Sequence, residues 1–274
     1  MTDTLDPTRI FAPSSPRRVI GCEGEAHDCV DSTMNVCRRR AEDGAPDGYV
    51  VLAEKQEQGR GRKGRWRCSP GQGLLMSVFL ARALPREKRM LLSTLGSVAV
   101  AETARSFGVN ARIKWPNDIV TVRNSSSLSL EKLGGVLVEP VSRGEAAPLH
   151  VLGVGLNVNH HAEELPEETH LPATSLRVQR AGRELNRNTF CRRLLGELDR
   201  RYDELARTAE EKLLARWRNL SCLLGHDVRV AMDGRRFTAR VLGIRSTGHL
   251  IVRGPRGKRM YLSDDRASLL FGGR

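Results

Sequence analysis

Between Gln56 and Arg67 the chain reads Gln-Glu-Gln-Gly-Arg-Gly-Arg-Lys-Gly-Arg-Trp-Arg, placing three glycines and five cations in one short segment. Glycine lets a backbone approach a ligand closely, and arginine presents planar forks that match phosphate and carboxylate oxygens. A segment of this composition can clamp an anion such as an acyl phosphate. It is not a GxxxxGK[ST] phosphate loop, and it does not open a helix as a GxGxxG fingerprint does. Alone, it reads as readily as a solvated basic loop or an RGG-like nucleic-acid contact.

Its neighbours overturn that bland reading. Upstream lies Asp31-Ser32-Thr33; downstream come Lys114-Trp115-Pro116-Asn117-Asp118, then Lys132-Leu133-Gly134-Gly135-Val136-Leu137-Val138-Glu139, then Gly153-Val154-Gly155-Leu156-Asn157-Val158-Asn159. Polar clusters attached to buried elements are what a preformed ligand site needs. Each residue keeps a plainer role as well: Lys114 and Lys132 as surface lysines flanking strands, Trp115 as core or pocket wall, Asp118 as a turn brace or a partner for Lys132. Cys68, beside the glycine and arginine loop, is followed by no histidine at a suggestive place and reads as a spectator. His160-His161 with Glu163 and Glu164 reads as a solvated loop, since adjacent histidines rarely face one metal ion.

The elements that must position these groups follow from apolar patterning. From Tyr49, β-like runs (YVVLAE, LLMSVFLA, ARIKWP, DIVTV, GGVLVEP, HVLGVGLNV) interleave with a helix predicted from about Glu87 to Phe107, which indicates an α/β layer on one central sheet. A second helical region, Asn188 to Leu220, carries Phe190, Leu194, Leu198, Tyr202 and Leu205 on one face. After Gly225 the runs DVRVAM, RFTARVLGI, HLIVRG and RMYL, broken by Asp233-Gly234 and Thr247-Gly248, predict hairpins and a small β-barrel. The expected division is a mobile arm over residues 1–18, a catalytic domain over 19–221 and the barrel over 222–274. Arg235, Arg236, Arg253, Arg256, Lys258 and Arg259 make the last unit a candidate for steering an acidic partner or covering a nucleotide.

With 45 Lys and Arg against 32 Asp and Glu, the net charge is +13, which attracts polyphosphates, nucleic acids and acidic proteins alike. No apolar stretch approaches the roughly 18 to 20 residues of a membrane span, and the N-terminal residues lack the apolar run of a secretory signal, so a cytoplasmic protein is expected. Six cysteines in no CxxC pair are expected to be reduced thiols.

The succession DST, GRGRKGR, KWPND, KLGGVLVE and GVGLNVN resembles the biotin protein ligases, from about Val30 to the C-terminus. The resemblance implies a central mixed sheet with flanking helices, like the class II synthetases, followed by a small SH3-like C-terminal β-barrel. It implies that biotin and ATP, accompanied by Mg²⁺, form biotinyl-5′-AMP and pyrophosphate. The biotinyl group then passes to a lysine of a biotin carboxyl carrier domain of the acetyl-CoA carboxylase type. Residue by residue, Ser32, Thr33, Gln56, Gly59, Arg60, Arg62 and Lys132 match the biotin and phosphate contacts. Arg60, Arg62, Arg65, Lys114, Asn117, Asp118 and Asn157 match the nucleotide contacts. Lys132, Arg62 and Asp118 match the catalytic groups, and no protein-held metal is implied.

Two departures stand out. Trp66 directly follows Arg65, one position earlier than the family pattern, which leaves its stacking on adenine open; and Arg123 to Glu131 looks like a surface elaboration. Within the fold family a lipoate or octanoate ligase or transferase is the alternative, and outside it a nucleic-acid-binding regulator. The regulator would need a helix-turn-helix domain that this sequence does not suggest, so no specific DNA partner and no membrane are expected. The chain is compatible with a homodimer.

Overall fold

The long apolar runs become one mixed sheet. In the computed structural model, which describes residues 3–11, 18–62, 64–82, 88–124, 128–142, 149–166, 171–207 and 210–271, β1 (Gly24–Val30), β2 (Val50–Gln56), β5 (Gly73–Leu80), β6 (Arg112–Lys114), β7 (Asp118–Asn124), β8 (Ser129–Val141) and β9 (Leu149–Asn157) form seven strands. Their order is β1-β2-β5-β9-β8-β7-β6; only β1 and β2 pair in parallel. Two-residue strands β3 (Arg60–Gly61) and β4 (Gly64–Arg65) make a separate hairpin. Six strands of the seven-stranded sheet match apolar runs read in the sequence; the exception is β1, whose residues are mostly half-exposed at the sheet edge and show no apolar alternation, and the β3–β4 hairpin falls in the segment read as a loop.

Both faces of the sheet are covered. On one side α3 (Met90–Ser106), the one-turn α4 (Leu176–Gln179), α5 (Arg187–Ala206) and α6 (Glu210–Leu220) pack on the large core with Leu52, Met76, Val136 and Leu152. On the other, α2 (Thr33–Glu42) carries Met34, Val36 and Cys37 onto Val51, Phe79 and Val151. The helix predicted over Glu87–Phe107 begins at Met90, and Glu87 lies outside the described residues. The helical region expected over Asn188–Leu220 is two helices: α5 is capped at Arg207 and α6 restarts at Glu210, so that Leu213, Leu214 and Trp217 turn into the core. The segment Arg123–Glu131, expected as a surface loop, largely extends the β7–β8 hairpin, with Asn124 paired to Ser129; residues 125–127 lie outside the described ones.

Past Gly225, β10 (Asp227–Met232), β11 (Arg235–Ile244), β12 (Leu250–Arg253), β13 (Arg259–Leu262) and β14 (Ala267–Leu270) form an antiparallel sheet in the order β13-β12-β11-β10-β14. Among the described residues β13 and β14 do not pair, so the expected barrel is an open sheet here. It is joined to the main body through a Cys222 N–H donating to the Ile113 carbonyl at 3.0 Å and the Trp115 indole donating to the Gly248 carbonyl at 3.2 Å.

The mobile arm expected over residues 1–18 is a correction for residues 3–11. Leu5, Ile10 and Phe11 are buried, and the short helix α1 (Pro7–Ile10) is capped by Asp6. The reason is Arg187, 1% exposed, whose Nε donates to Asp3 at 2.7 Å and whose Nη1 donates to Glu54 at 2.8 Å and to the Gly73 carbonyl at 3.0 Å. A guanidinium this deep needs both carboxylates, and one of them comes from the N-terminal segment. Removing a member of a buried ion cluster strands the others, so Arg187→Ala should destabilise by about 3 to 5 kcal/mol. Urea unfolding checks this, and a loss below about 1 kcal/mol, the range of a surface pair, would contradict it.

Candidate active site

On the α2 side of the sheet the strands open into a cavity of about 810 Å³, within the range of small-molecule sites. Ser32, Thr33, Gln56, Arg60, Arg62 and Arg65 line it, and so do Lys114, Asn117, Asp118, Lys132 and Asn157. Of the residues singled out by resemblance, Gly59 alone is not in the lining. It sits behind the wall, where a Cβ would fall 2.3 Å from the Trp66 carbonyl oxygen.

One end is a neutral hydrogen-bonding cluster at the start of α2. The Thr33 N–H and hydroxyl donate to Gln56 Oε1 at 2.7 and 2.9 Å, and its hydroxyl meets Ser77 Oγ at 2.8 Å. Ser32 is fully buried, and its Oγ has no partner although it faces the cavity. An orphaned buried hydroxyl costs free energy that a polar ligand group would recover.

The other end is ionic. Asp118, opening β7, receives Lys114 Nζ on Oδ2 and Lys132 Nζ on Oδ1, each at 2.6 Å. Burial alone would raise the Asp118 pKa, but the two ammonium groups override it and hold the carboxylate at about 2. Lys132 is fixed by its backbone as well, its N–H donating to the Pro172 carbonyl and its carbonyl accepting from Thr174. The amide nitrogens of Asn117 and Asn157 donate to the Val136 and Thr174 carbonyls at 2.7 and 3.0 Å, bracing the strand ends around the lysines.

Trp66 forms the wall between the two ends. Its indole packs on Gly155, where a Cβ would come within 2.7 Å of the ring, so the glycine is required by close approach. Lys132 Nζ lies 6.0 Å from the ring centroid, and the indole Nε1 is buried without a partner. The second glycine of KLGG is packed for the same reason: a Cβ on Gly134 would lie 2.2 Å from the Gly155 carbonyl oxygen.

The glycine and arginine loop closes over the cavity as the β3–β4 hairpin. Arg62 Nη1 donates to the Asp264 carbonyl at 2.7 Å, and Arg60 reaches Glu139 at 3.1 Å, a carboxylate also held by Arg38 at 2.7 Å. Protein acceptors thus take the positions in which an anionic ligand was expected to hold these arginines. The link to Asp264 reaches across to the C-terminal sheet, whose Leu269, Leu270 and Phe271 line the cavity. Phe271 carries Lys114 Nζ 5.0 Å above its ring. These residues were missed because the run ASLL gives no polar signal. None of Arg235, Arg236, Arg253, Arg256, Lys258 and Arg259 lines the cavity.

Two readings of the surroundings change. Cys68 does have a histidine: His160 Nε2 lies 3.5 Å from its Sγ, an approach made by folding that sequence distance hides. Burial pushes the thiol up to about 12 and the His160 pKa down, so the pair is neutral near pH 7. His160 is buried, in contrast to the solvated loop expected for it, while His161 is exposed and pairs with Glu163 at 3.9 Å. Among the described residues no group of three or more His, Cys, Asp or Glu could hold a metal ion. All six cysteines are free, and no described helix is long and apolar enough to cross a membrane.

Fold and site together define an α/β domain with a cavity of small-molecule size: a mixed sheet with a cavity polar at both ends, roofed by an arginine hairpin and bordered by a second sheet. Residues 26–159 match the model of the biotin/lipoate A/B protein ligase family. The bifunctional ligase/repressor BirA of Bacillus subtilis is 30% identical over 241 residues, covering 87% of this chain and 72% of that protein. The biotin--[acetyl-CoA-carboxylase] ligase of Mycobacterium tuberculosis is 35% identical over 202 residues, covering 71% and 69% respectively. The biotin protein ligase from Aquifex aeolicus, solved with biotin and ATP, superposes with a TM-score of 0.74 over 90% of this chain and 98% of that one; at 23% identity this likeness concerns the fold. The chain belongs to the biotin/lipoate A/B protein ligase family.

The shared carboxylate makes a pH-dependent prediction. Asp118→Ala should destabilise by about 3 kcal/mol, at the lower end for a buried pair because Lys132 is 31% exposed. A carboxyl group whose folded pKa lies below its unfolded value of 3.8 contributes above that value and loses the contribution as pH falls toward 2. The gap between wild type and variant in urea unfolding should therefore be full at pH 7 and shrink below pH 4. A gap that stays constant down to pH 3 would contradict this assignment.

Proposed function

We propose that this chain is an ATP-dependent biotin protein ligase, which joins biotin to AMP with release of pyrophosphate and then transfers the biotinyl group to a lysine of a biotin carboxyl carrier domain. The observation that carries the reading is the two-ended cavity. Ser77, bonded to Thr33, lies in register with Gly153 and through it with Leu137, and Lys132 stands five residues back along β8, about 16 Å at strand rise. A ligand suited to both ends has a neutral hydrogen-bonding head for Ser32, Thr33 and Gln56 and an anionic tail for Lys132. Biotin has a ureido head and a carboxylate tail, whereas a plain alkyl acid would leave the Ser32 hydroxyl unsatisfied, which favours biotin over lipoate or octanoate.

In the first step a carboxylate oxygen attacks the α-phosphorus of ATP, and the bond to the pyrophosphate oxygen breaks. Two anions must meet, and the cationic side chains of Lys132, Lys114, Arg60, Arg62 and Arg65 offset their repulsion. Lys132, oriented by Asp118, stabilises charge building on the phosphoryl oxygens. In the second step the acceptor amine attacks the acyl carbon, AMP departs with the bonding pair, and the amine loses a proton. No group of this chain needs to become covalently attached. Mg²⁺ enters with ATP as part of the substrate; Asp118, already shared by two lysines, is not a spare ligand for it.

Mass spectrometry of a purified carrier domain after incubation with the chain, ATP and biotin tests the reading. A gain of one biotinyl group on one lysine is expected, and modification by lipoate but not biotin would overturn it. Lys132→Ala should cut pyrophosphate release by about 10²-fold or more with the fold retained; near wild-type release from a folded variant would remove Lys132 from the chemistry. Arg62→Gly should speed escape of biotinyl-5′-AMP by roughly 10-fold to 150-fold, the worth of a charge-assisted hydrogen bond, while part of the adenylation survives. Labelling of an unrelated bystander protein reads that escape, and unchanged labelling would show that Arg62 does not retain the adenylate.

A further inference from the structure

On the cavity side of the main sheet, alternation along β9 presents Val151, Gly153, Gly155 and Asn157. The last three line the cavity, while Val151 is buried in the smaller core beneath α2. The floor of the cavity therefore runs from Asn157 at the ionic end over two glycines and stops at Gly153. Trp66 lies on Gly155. On Gly153 lies Met34: a Cβ at this glycine would come 2.9 Å from the Met34 sulfur and 3.1 Å from its Cγ.

Met34 follows Thr33 in the first turn of α2, lines the cavity and is 4% exposed. Its side chain belongs at the same time to the smaller core, with Val36, Val51, Phe79 and Val151, so it is the partition between that core and the cavity. The partition stands at the neutral end. Gly153 is in register with Ser77, whose hydroxyl meets that of Thr33 and lies 3.6 Å from the same Cβ position. The glycine and the methionine are complementary, because the missing Cβ makes room for the thioether. Methionine adapts readily in an open site, but here the packed residues on its far side leave it no room to withdraw.

We infer that Met34 is a specificity-determining residue for the head of the acid: seated on Gly153, it ends the cavity beside Ser32, Thr33 and Gln56 and limits the head to one that fits against a thioether. This rests on the ligase reading above and goes beyond it, since the hydrogen-bonding groups select a polar head but set no limit on its bulk. The class admitted is a compact ring system bearing a neutral hydrogen-bonding group, and a head enlarged on that side meets the Met34 side chain. One methylene at a pocket wall changes selectivity by about 10-fold to 200-fold. Shortening Met34 to alanine removes Cγ, Sδ and Cε from the wall and opens the cavity toward Val151, about 7 Å along β9 at strand rise.

The experiment measures pyrophosphate release by the full chain with biotin and with two analogues, each methylated on a different ureido nitrogen. The lost N–H of an analogue is common to wild type and variant, so a change in preference between them isolates the wall. Met34→Ala should raise the KM for biotin by about tenfold with kcat within about twofold, the signature of lost uniform binding. Its preference for biotin over at least one analogue, as a ratio of kcat/KM, should fall by about tenfold or more. Met34→Leu, close to methionine in volume, should keep the wild-type preference. Gly153→Ala alone should push the thioether into the cavity and raise the biotin KM; combined with Met34→Ala, the added methyl refills the vacated space and restores the preference. A Met34→Ala chain that uses biotin with the wild-type preference over both analogues overturns the inference and leaves the ligase reading standing. Should Met34→Ala not fold, a folded Gly153→Ala with the wild-type biotin KM overturns it equally. No pyrophosphate release by the wild-type chain with biotin overturns the ligase reading, and this inference with it.

Discussion

The site depends on one carboxylate serving two ammonium groups. Asp118 holds Lys114 and Lys132 at equal distances on its two oxygens, which fixes where positive charge faces the cavity and prevents the lysines from turning to solvent. The sheet supplies the three positions: Lys114 ends β6, Asp118 opens β7, and Lys132 sits on β8 beside the irregularity between Ile119 and Val120. A charge cluster this buried is maintained only if the strands keep that register. Gly134 and Gly155 allow β8 and β9 to pack closely enough to hold it.

The second dependence is between sheets. The arginine hairpin is anchored on the Asp264 carbonyl, and Leu269 to Phe271 complete the cavity wall. The ligand space is therefore shared between two sheets that the sequence presents as separate units. Closing part of a cavity with the edge of a second sheet shields it from water on that side, while its roof is a short hairpin.

Much of this was legible in the sequence, and the failures have physical reasons. The buried strands and α3 were plain because burial on both sides leaves long apolar runs. The polar clusters at their ends were legible because polar residues adjoining such runs have few structural excuses. What escaped was whatever folding alone brings together: His160 beside Cys68, Glu139 between Arg38 and Arg60, and Phe271 beneath Lys114. The N-terminal segment was misread because its few apolar residues show no periodicity; what orders it is Arg187, which needs the Asp3 carboxylate, and a guanidinium reads as exposed from sequence. The break between α5 and α6 was hidden because both helices present apolar residues at helical spacing.

Trp66 has an optical consequence. The chain holds three tryptophans. Trp115 and Trp217 are 1% and 0% exposed within the core, and neither lines the cavity. Trp66 stands in the cavity wall, 6.0 Å from a lysine ammonium and with its indole nitrogen unpaired. Of the three tryptophans Trp66 is the one a molecule in the cavity would touch, so the molecule carries its own fluorescent gauge of occupancy without a dye or an added label.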